Sequence, residues 1–236
     1  MVPVSLRMKK IADMVSAKSV ADIGCDHGYI SIYLVTQKGI DHAIAMDINE
    51  GPLSRAKEHV MLYGLSDKIE TRLSDGAQAL DMGEVNGTVI AGMGGRLTER
   101  IIGESAEIFK AMDEIILSPQ SEIDHVRRYL VHNGFEICDE DMVYDESKYY
   151  TIIKCAYNEN MPRTISDTDA MFGPVLIRKK HPVFIEYLND RIKKLEEIRV
   201  RIDSGANTES ERGAMRTDQL DGETELIRQL LRKLQD

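Results

Sequence analysis

The stretch Asp22-Ile23-Gly24-Cys25-Asp26-His27-Gly28 decides the fold. The apolar run 20–23 reads as a short buried strand, and residues 29–36 read as a helix. A strand, a glycine-bearing turn and a helix open a nucleotide-binding α/β unit. Gly24 lets the backbone turn tightly, and Gly28 permits close packing of the following helix. Asp26 stands where the usual pattern has its middle glycine. An acidic loop is a poor seat for a pyrophosphate, because like charges meet without compensation. It suits a ligand with a cationic amine and a sulfonium, which Asp22 can hold directly or through water. A structural turn with solvated carboxylates would use the same residues.

Outward from this turn, strand and helix patterns alternate. Strands are expected at 43–46, 69–73, 88–90 and 115–117, and helices at 51–63, 97–102 and 122–132. A short amphipathic helix precedes the turn and ends at 11–15. Two further strands, 135–143 and 149–156, are joined at Asp145-Glu146. Alternation implies a mostly parallel sheet, and the closing hairpin implies one antiparallel strand. The expected fold is α/β: the Rossmann-like, seven-stranded sheet of class I methyltransferases. Beyond Asn158 the pattern changes. Residues 162–182 read as irregular. Leu188, Ile192, Leu195, Ile198 and Ile202 mark a helix over 183–202. A polar loop is expected at 204–217, then a second helix at 218–234. The two read as an antiparallel, coiled-coil-like hairpin. The expected division is a catalytic domain at 1–160 and a helical extension at 161–236.

The chain has 236 residues, 42% hydrophobic and 30% charged, which suits a globular protein with a real core. No apolar run reaches the roughly 20 residues of a membrane span. Residues 1–10 lack the apolar stretch of a secretory signal. Three scattered cysteines, Cys25, Cys138 and Cys155, suit neither a disulfide framework nor a zinc site. No metal is expected, and the cytoplasm is the expected location. Net charge is −10, yet residues 162–201 carry a positive excess of 3. Distribution, more than the sum, decides whether phosphates can bind.

The chemistry gathers at strand ends, which in an open α/β sheet face one ligand crevice. The second strand ends at Asp47, about 20 residues past the glycine turn, where an acid hydrogen-bonds ribose hydroxyls. Ile48 follows it. Asp47 can equally belong to a helix start, with Asn49 as the cap. The third strand ends at Ser74-Asp75-Gly76, where Asp75 can accept from an adenine amine; turn chemistry explains Asp-Gly as well. The fourth runs into Ala91-Gly92-Met93-Gly94-Gly95, whose exposed amides leave room for a flat base and open a helix. This loop lacks the Asn/Asp-Pro-Pro-aromatic clamp of exocyclic-amine methyltransferases, so a ring nitrogen is the better target.

Asp22–Tyr29, the Asp47-Ile48-Asn49-Glu50-Gly51-Pro52 run, the Ala91–Gly95 block, Ile116-Leu117-Ser118-Pro119-Gln120 and Met171–Leu176 together resemble the bacterial tRNA (adenine(22)-N1)-methyltransferases. The resemblance spans almost the whole chain. It implies methyl transfer from S-adenosylmethionine to N1 of an adenine in the tRNA D-arm. Cofactor contacts are then expected from Asp22, Gly24, Cys25, Asp26, Asp47, Ile48, Asp75, Gly76 and Ala91–Gly94. Asp26, His27 and Tyr29 are the candidate catalytic residues: a carboxylate that favours the cationic product, beside two rings that orient or stack on the base. Arg7, Gly95, Pro119, Lys179, Lys180 and Lys193 are the candidate tRNA contacts, with Lys9, Lys10, Arg178 and Lys194 as further cations. A monomer or weak dimer through the helical extension is expected. Methylation of another RNA or a small molecule, or a nucleotide-binding scaffold that dimerises through its helices, uses the same features.

Overall fold

The computed structural model describes residues 2–203 and 211–235. The chain divides into two compact units, Met1–Leu176 and Ile177–Asp236. In chain order, the first unit begins α1 (Leu6–Asp13), β1 (Ser19–Ile23), α2 (Tyr29–Gln37), β2 (His42–Asp47), α3 (Glu50–Leu62) and β3 (Ile69–Leu73). It continues β4 (Gly87–Ala91), α4 (Gly95–Glu104), α5 (Ala106–Lys110), β5 (Glu114–Ser118), α6 (Ile123–His132), β6 (Phe135–Asp145), β7 (Lys148–Tyr157) and α7 (Asp167–Phe172). Helix α8 (Pro174–Arg178) spans the division. The second unit holds α9 (Pro182–Asp203) and α10 (Glu211–Gln235).

One seven-stranded sheet runs in the order β3-β2-β1-β4-β5-β7-β6. Strands β1 to β5 pair in parallel, and β7 enters antiparallel between β5 and β6. This is the expected class I methyltransferase α/β sheet. The chain winds one way from β1 to β3, then crosses back to β4. The switch in strand order therefore lies between the carboxyl ends of β1 and β4, where such sheets bind ligands.

Helices cover both faces, so the inner strands are buried throughout. Period-two alternation sorts their side chains between two cores. Ala21, Ile23, Ile44 and Met46 join Ile101, Phe109 and Leu130 on one face. Val20, Ala43 and Ala45 join Ile11, Ile32, Leu34 and Val60 on the other.

Two stretches differ from the sequence expectation. Residues 162–182 are not irregular: α7 starts on Ser166, whose side chain accepts from the Asp169 amide, and Gly173 (φ +94°) turns the chain into α8. A buried ion pair draws this segment onto the sheet. Arg127 of α6 donates to Glu140 of β6 at 2.8 Å and to the carbonyls of Ala170 and Met171. Glu140 accepts the amides of Val175 and Leu176. The polar loop expected at 204–217 is helical from Glu211, and its part at 204–210 lies outside the described residues. In the second unit α9 and α10 pack on each other through buried Leu188, Leu195, Ile227 and Leu230, flanked by the Arg191–Glu223 pair. Among the described residues no helix is long and apolar enough to cross a membrane, and no group of side chains could hold a metal.

Candidate active site

Four strand ends open onto one cleft of about 690 Å³, within the usual range for a small-molecule site. Strand β1 supplies Asp22 to Asp26, and β2 supplies Asp47, Ile48 and Asn49. Ser74, Asp75 and Gly76 follow β3, and Ala91, Gly92 and Met93 follow β4. Tyr29 and Ile30 of α2, Leu97, Arg100 and Ile101 of α4, and Arg7 and Met8 of α1 complete the wall.

The β1 turn forms because the amides of Gly24 and Cys25 both donate to the Met46 carbonyl of the neighbouring strand, at 2.8 and 2.9 Å. Gly24 has φ +76°, and a side-chain carbon there would overlap the Met93 methyl. Gly28, at φ +71°, starts α2; a side-chain carbon there would sit 3.1 Å from that of Ala56 on α3. The glycines thus keep backbone, not side chain, against the cleft and against α3.

Asp22 is only 2% exposed. Its carboxylate accepts from the Ser31 hydroxyl at 2.8 Å and the Ser31 amide at 3.3 Å, in the first turn of α2. Burial pushes its carboxyl up to about 6; the two Ser31 bonds only partly offset this, and the Asp47 charge adds to it. No Lys, Arg or His pairs with Asp22 among the described residues. Asp47 is also buried, and it accepts the Asn49 amide at 2.9 Å. Asn49 is the backbone cap of α3 but makes no side-chain cap bond, so Asp47 closes that turn while facing the cleft.

Asp75 lines the cleft and is also held from within the chain. Both its oxygens bind Arg100 of α4, at 2.9 and 3.2 Å, which holds its carboxyl below the usual carboxylate range. Arg100, Leu97 and Ser74 are cleft residues that sequence reasoning missed; Arg100 lies 25 residues from its partner. Ile48 is 56% exposed on the cleft wall, although large apolar side chains are normally covered.

At the mouth, Asp26 holds φ +48°, unusual for a residue with a side chain. Its exposed carboxylate lies 3.4 Å from Arg55 and 3.7 Å from His27. Tyr29 lines the cleft, whereas His27 does not. Arg7 also reaches the cleft: its guanidinium stands 4.7 Å over the Tyr150 ring, and its amide binds Asp145 at 2.9 Å. Gly94, Gly95 and Pro119 do not line the cleft; Gly95 is buried against Ser121 and Glu122, and Pro119 is buried. Lys179, Lys180 and Lys193 belong to the second unit.

The strand order, the switch-point cleft and its unpaired buried acid define a class I S-adenosylmethionine-dependent methyltransferase. The profile of the tRNA (adenine(22)-N(1))-methyltransferase family matches residues 20–225. The tRNA (adenine(22)-N(1))-methyltransferase of Bacillus subtilis is 28% identical over 231 residues, covering 96% of each chain. The crystal structure of the B. subtilis m1A22 tRNA methyltransferase TrmK, 27% identical, superposes with a TM-score of 0.82 over 98% of this chain and 100% of its own. A Streptococcus pneumoniae structure, 31% identical, superposes at 0.86 over 97% of this chain and 99% of its own. That protein is also solved in complex with S-adenosyl-L-methionine. The chain belongs to the tRNA (adenine(22)-N(1))-methyltransferase family, and S-adenosylmethionine is its cofactor.

The cleft residues fit that cofactor. Asp22, buried and without a cation, would receive a cationic amine and a sulfonium; Asp47 stands at the end of β2, and Ile48, Leu97 and Ile101 would give a flat ring apolar walls. The β1 turn holds two acids, Asp22 and Asp26, and no Lys or Arg to cradle a pyrophosphate.

Proposed function

We propose that this chain methylates N1 of the adenine at position 22 in the tRNA D-arm, with the base entering beside Asp26 and Tyr29. The observation that carries the reading is the pair of unlike acids at one turn: Asp22 buried in the cleft and Asp26 exposed at its mouth. When bound, the cofactor supplies a methyl group on a positively charged sulfur. Adenine N1 brings its own lone pair, so no residue needs to remove a proton from it. The protein's work is positioning and charge stabilisation. Asp22 and Asp47 orient the cofactor. Asp26, steadied by Arg55, lowers the cost of the positive charge that grows on the base. Tyr29 offers its ring to an extruded base, as base-modifying enzymes require.

Arg7 stands at the cleft wall for the target nucleotide. Lys179, Lys180 and Lys193 supply phosphate contacts from the second unit, which makes binding salt-dependent. In this reading the protein works in the cytoplasm as a monomer or a weak dimer through α9 and α10.

The test is transfer of labelled methyl to tRNA carrying adenine or guanine at position 22. Label is expected only with adenine. Asp26→Ala is expected to lower kcat about a hundredfold with cofactor affinity intact. Equal labelling of both tRNAs, or an unaltered Asp26→Ala rate, overturns the reading.

A further inference from the structure

Three near-parallel rings meet beside the cleft mouth. Tyr29 and His59 stack with centroids 4.7 Å apart and planes 16° apart. His27 lies 5.6 Å from each, tilted by 16° to Tyr29 and 28° to His59. Of the three, only Tyr29 faces the cleft. The Tyr29 hydroxyl is 3.5 Å from His59 Nε2, which between parallel rings is a stacking distance, not a directed hydrogen bond. The directed bond is at the other nitrogen. His59 Nδ1 lies 2.9 Å from the His27 carbonyl, and a carbonyl only accepts, so Nδ1 carries the proton.

His59 belongs to a helix face that grips the whole β1 turn. Arg55, Ala56 and His59 lie within one turn of α3. Arg55 meets Asp26, Ala56 packs on Gly28, and His59 holds the His27 carbonyl and backs the Tyr29 ring. Each of the four residues from Asp26 to Tyr29 is thus held by this one face.

We infer that His59 is a positioning residue for methyl transfer: through its bond to the His27 carbonyl and its stack beneath Tyr29, it presets the ring plane on which the extruded adenine lies. The inference rests on the reading that the base enters beside Tyr29. An aromatic platform stacks on a base whatever its sequence, and a platform already fixed loses least on binding. Ring plane also sets where N1 points, and small errors in approach cost rate more than affinity.

The test uses the full-length protein with tRNA at saturating cofactor. His59→Ala is expected to lower kcat about 10- to 30-fold, with KM for tRNA within about twofold and cofactor affinity unchanged. His59→Phe, which keeps the stack, is expected to retain kcat within about threefold. His59→Asn, which keeps a donor for the carbonyl without the stack, is expected to match the alanine variant in rate while restoring its Tm. Tyr29→Ala and His59→Ala together should be no slower than Tyr29→Ala alone. In tRNA with 2-aminopurine at the target, enzyme binding should quench the fluorescence in wild type and His59→Phe, and less in His59→Ala. An unchanged His59→Ala rate, multiplicative double-variant losses, or a rate loss that follows cofactor affinity overturns the inference. If the wild type itself transfers no methyl to tRNA, the functional reading fails instead, and these comparisons separate the two.

Discussion

Two buried carboxylates at opposite edges of the same sheet have opposite surroundings. Glu114 opens β5 at the edge away from the cleft and is 3% exposed. Burial alone would raise its carboxyl, but the Lys154 ammonium, the Ser16 hydroxyl and amide, and the Ala17 amide bring it below the ordinary range. Asp22 ends β1 at the cleft edge, equally buried, with two bonds from Ser31 and no cation. Its carboxyl rises to about 6. A structural acid carries its counter-charge within the chain; a binding acid leaves that place for the ligand.

The largest expected effect breaks the binding side of this contrast. Asp22→Ala should weaken S-adenosylmethionine binding about a thousandfold in titration calorimetry, the scale of losing one partner of a desolvated charge pair. Asp22→Asn should bind as poorly yet raise the Tm of the free protein at pH 8, because the uncompensated charge is gone. If the Asn variant binds like wild type, Asp22 is not the counter-charge.

Next comes the structural side. Glu114→Gln should destabilise folding by about 3 kcal/mol in urea titrations, since Lys154 keeps the Met14 carbonyl and Ser16 hydroxyl but loses its counter-charge, and the folded fraction should bind cofactor normally. An unaltered urea midpoint would make Glu114 a bystander.

A smaller effect sharpens the contrast by pH. Because burial raises Asp22 from 3.8 to about 6, the folded protein holds that proton more tightly than the unfolded chain does. Its stabilising share is therefore full below about pH 4 and is lost as pH rises through about 6. Glu114, lowered instead, contributes stability that is lost as pH falls through its folded-state titration. Cofactor binding needs Asp22 ionised. At pH 5 about one molecule in ten is, so affinity should fall roughly tenfold from pH 7. A flat profile for the wild type would contradict the raised carboxyl. Smallest of all is Arg100→Ala. Its pair with Asp75 is solvent-exposed, so the urea midpoint should barely move. Its larger consequence should be a freed Asp75, seen as an altered cofactor Kd.

The strands and their ends were legible because each is a short apolar run closed by Gly or Asp, a signal contained within a few residues. Asp22, Asp47, Asp75 and the Ala91–Met93 loop meet in one cleft as their spacing implied. What escaped notice depends on distant partners. Helices α5, α7 and α8 are five or six residues long and carry too little periodicity to show. The Arg100–Asp75 and Arg127–Glu140 pairs join separate elements, and no local pattern marks them. His59 lies in a helix that the local pattern shows, but its partners are not local; only the shared spacing of Arg55, Ala56 and His59 on one helix face hints at its role. Gly95 and Pro119, expected as tRNA contacts, are buried and lie outside the cleft lining, a placement set by contacts with neighbouring segments that no local pattern marks.

The Arg127–Glu140 pair also governs where this protein can be shortened. A chain ended at residue 160, where the composition changes, would take the Ala170 and Met171 carbonyls from Arg127 and the Val175 and Leu176 amides from Glu140. Two charges, 2% and 0% exposed in the intact protein, would then open onto a hole. A chain ended after residue 176 keeps all four bonds. Even a single methyl at position 173 would intrude, since it would stand 2.7 Å from Glu140 and 2.8 Å from Arg127. The practical edge of the catalytic half is thus drawn by a knot of charge in its interior, well past the point at which the sequence changes character.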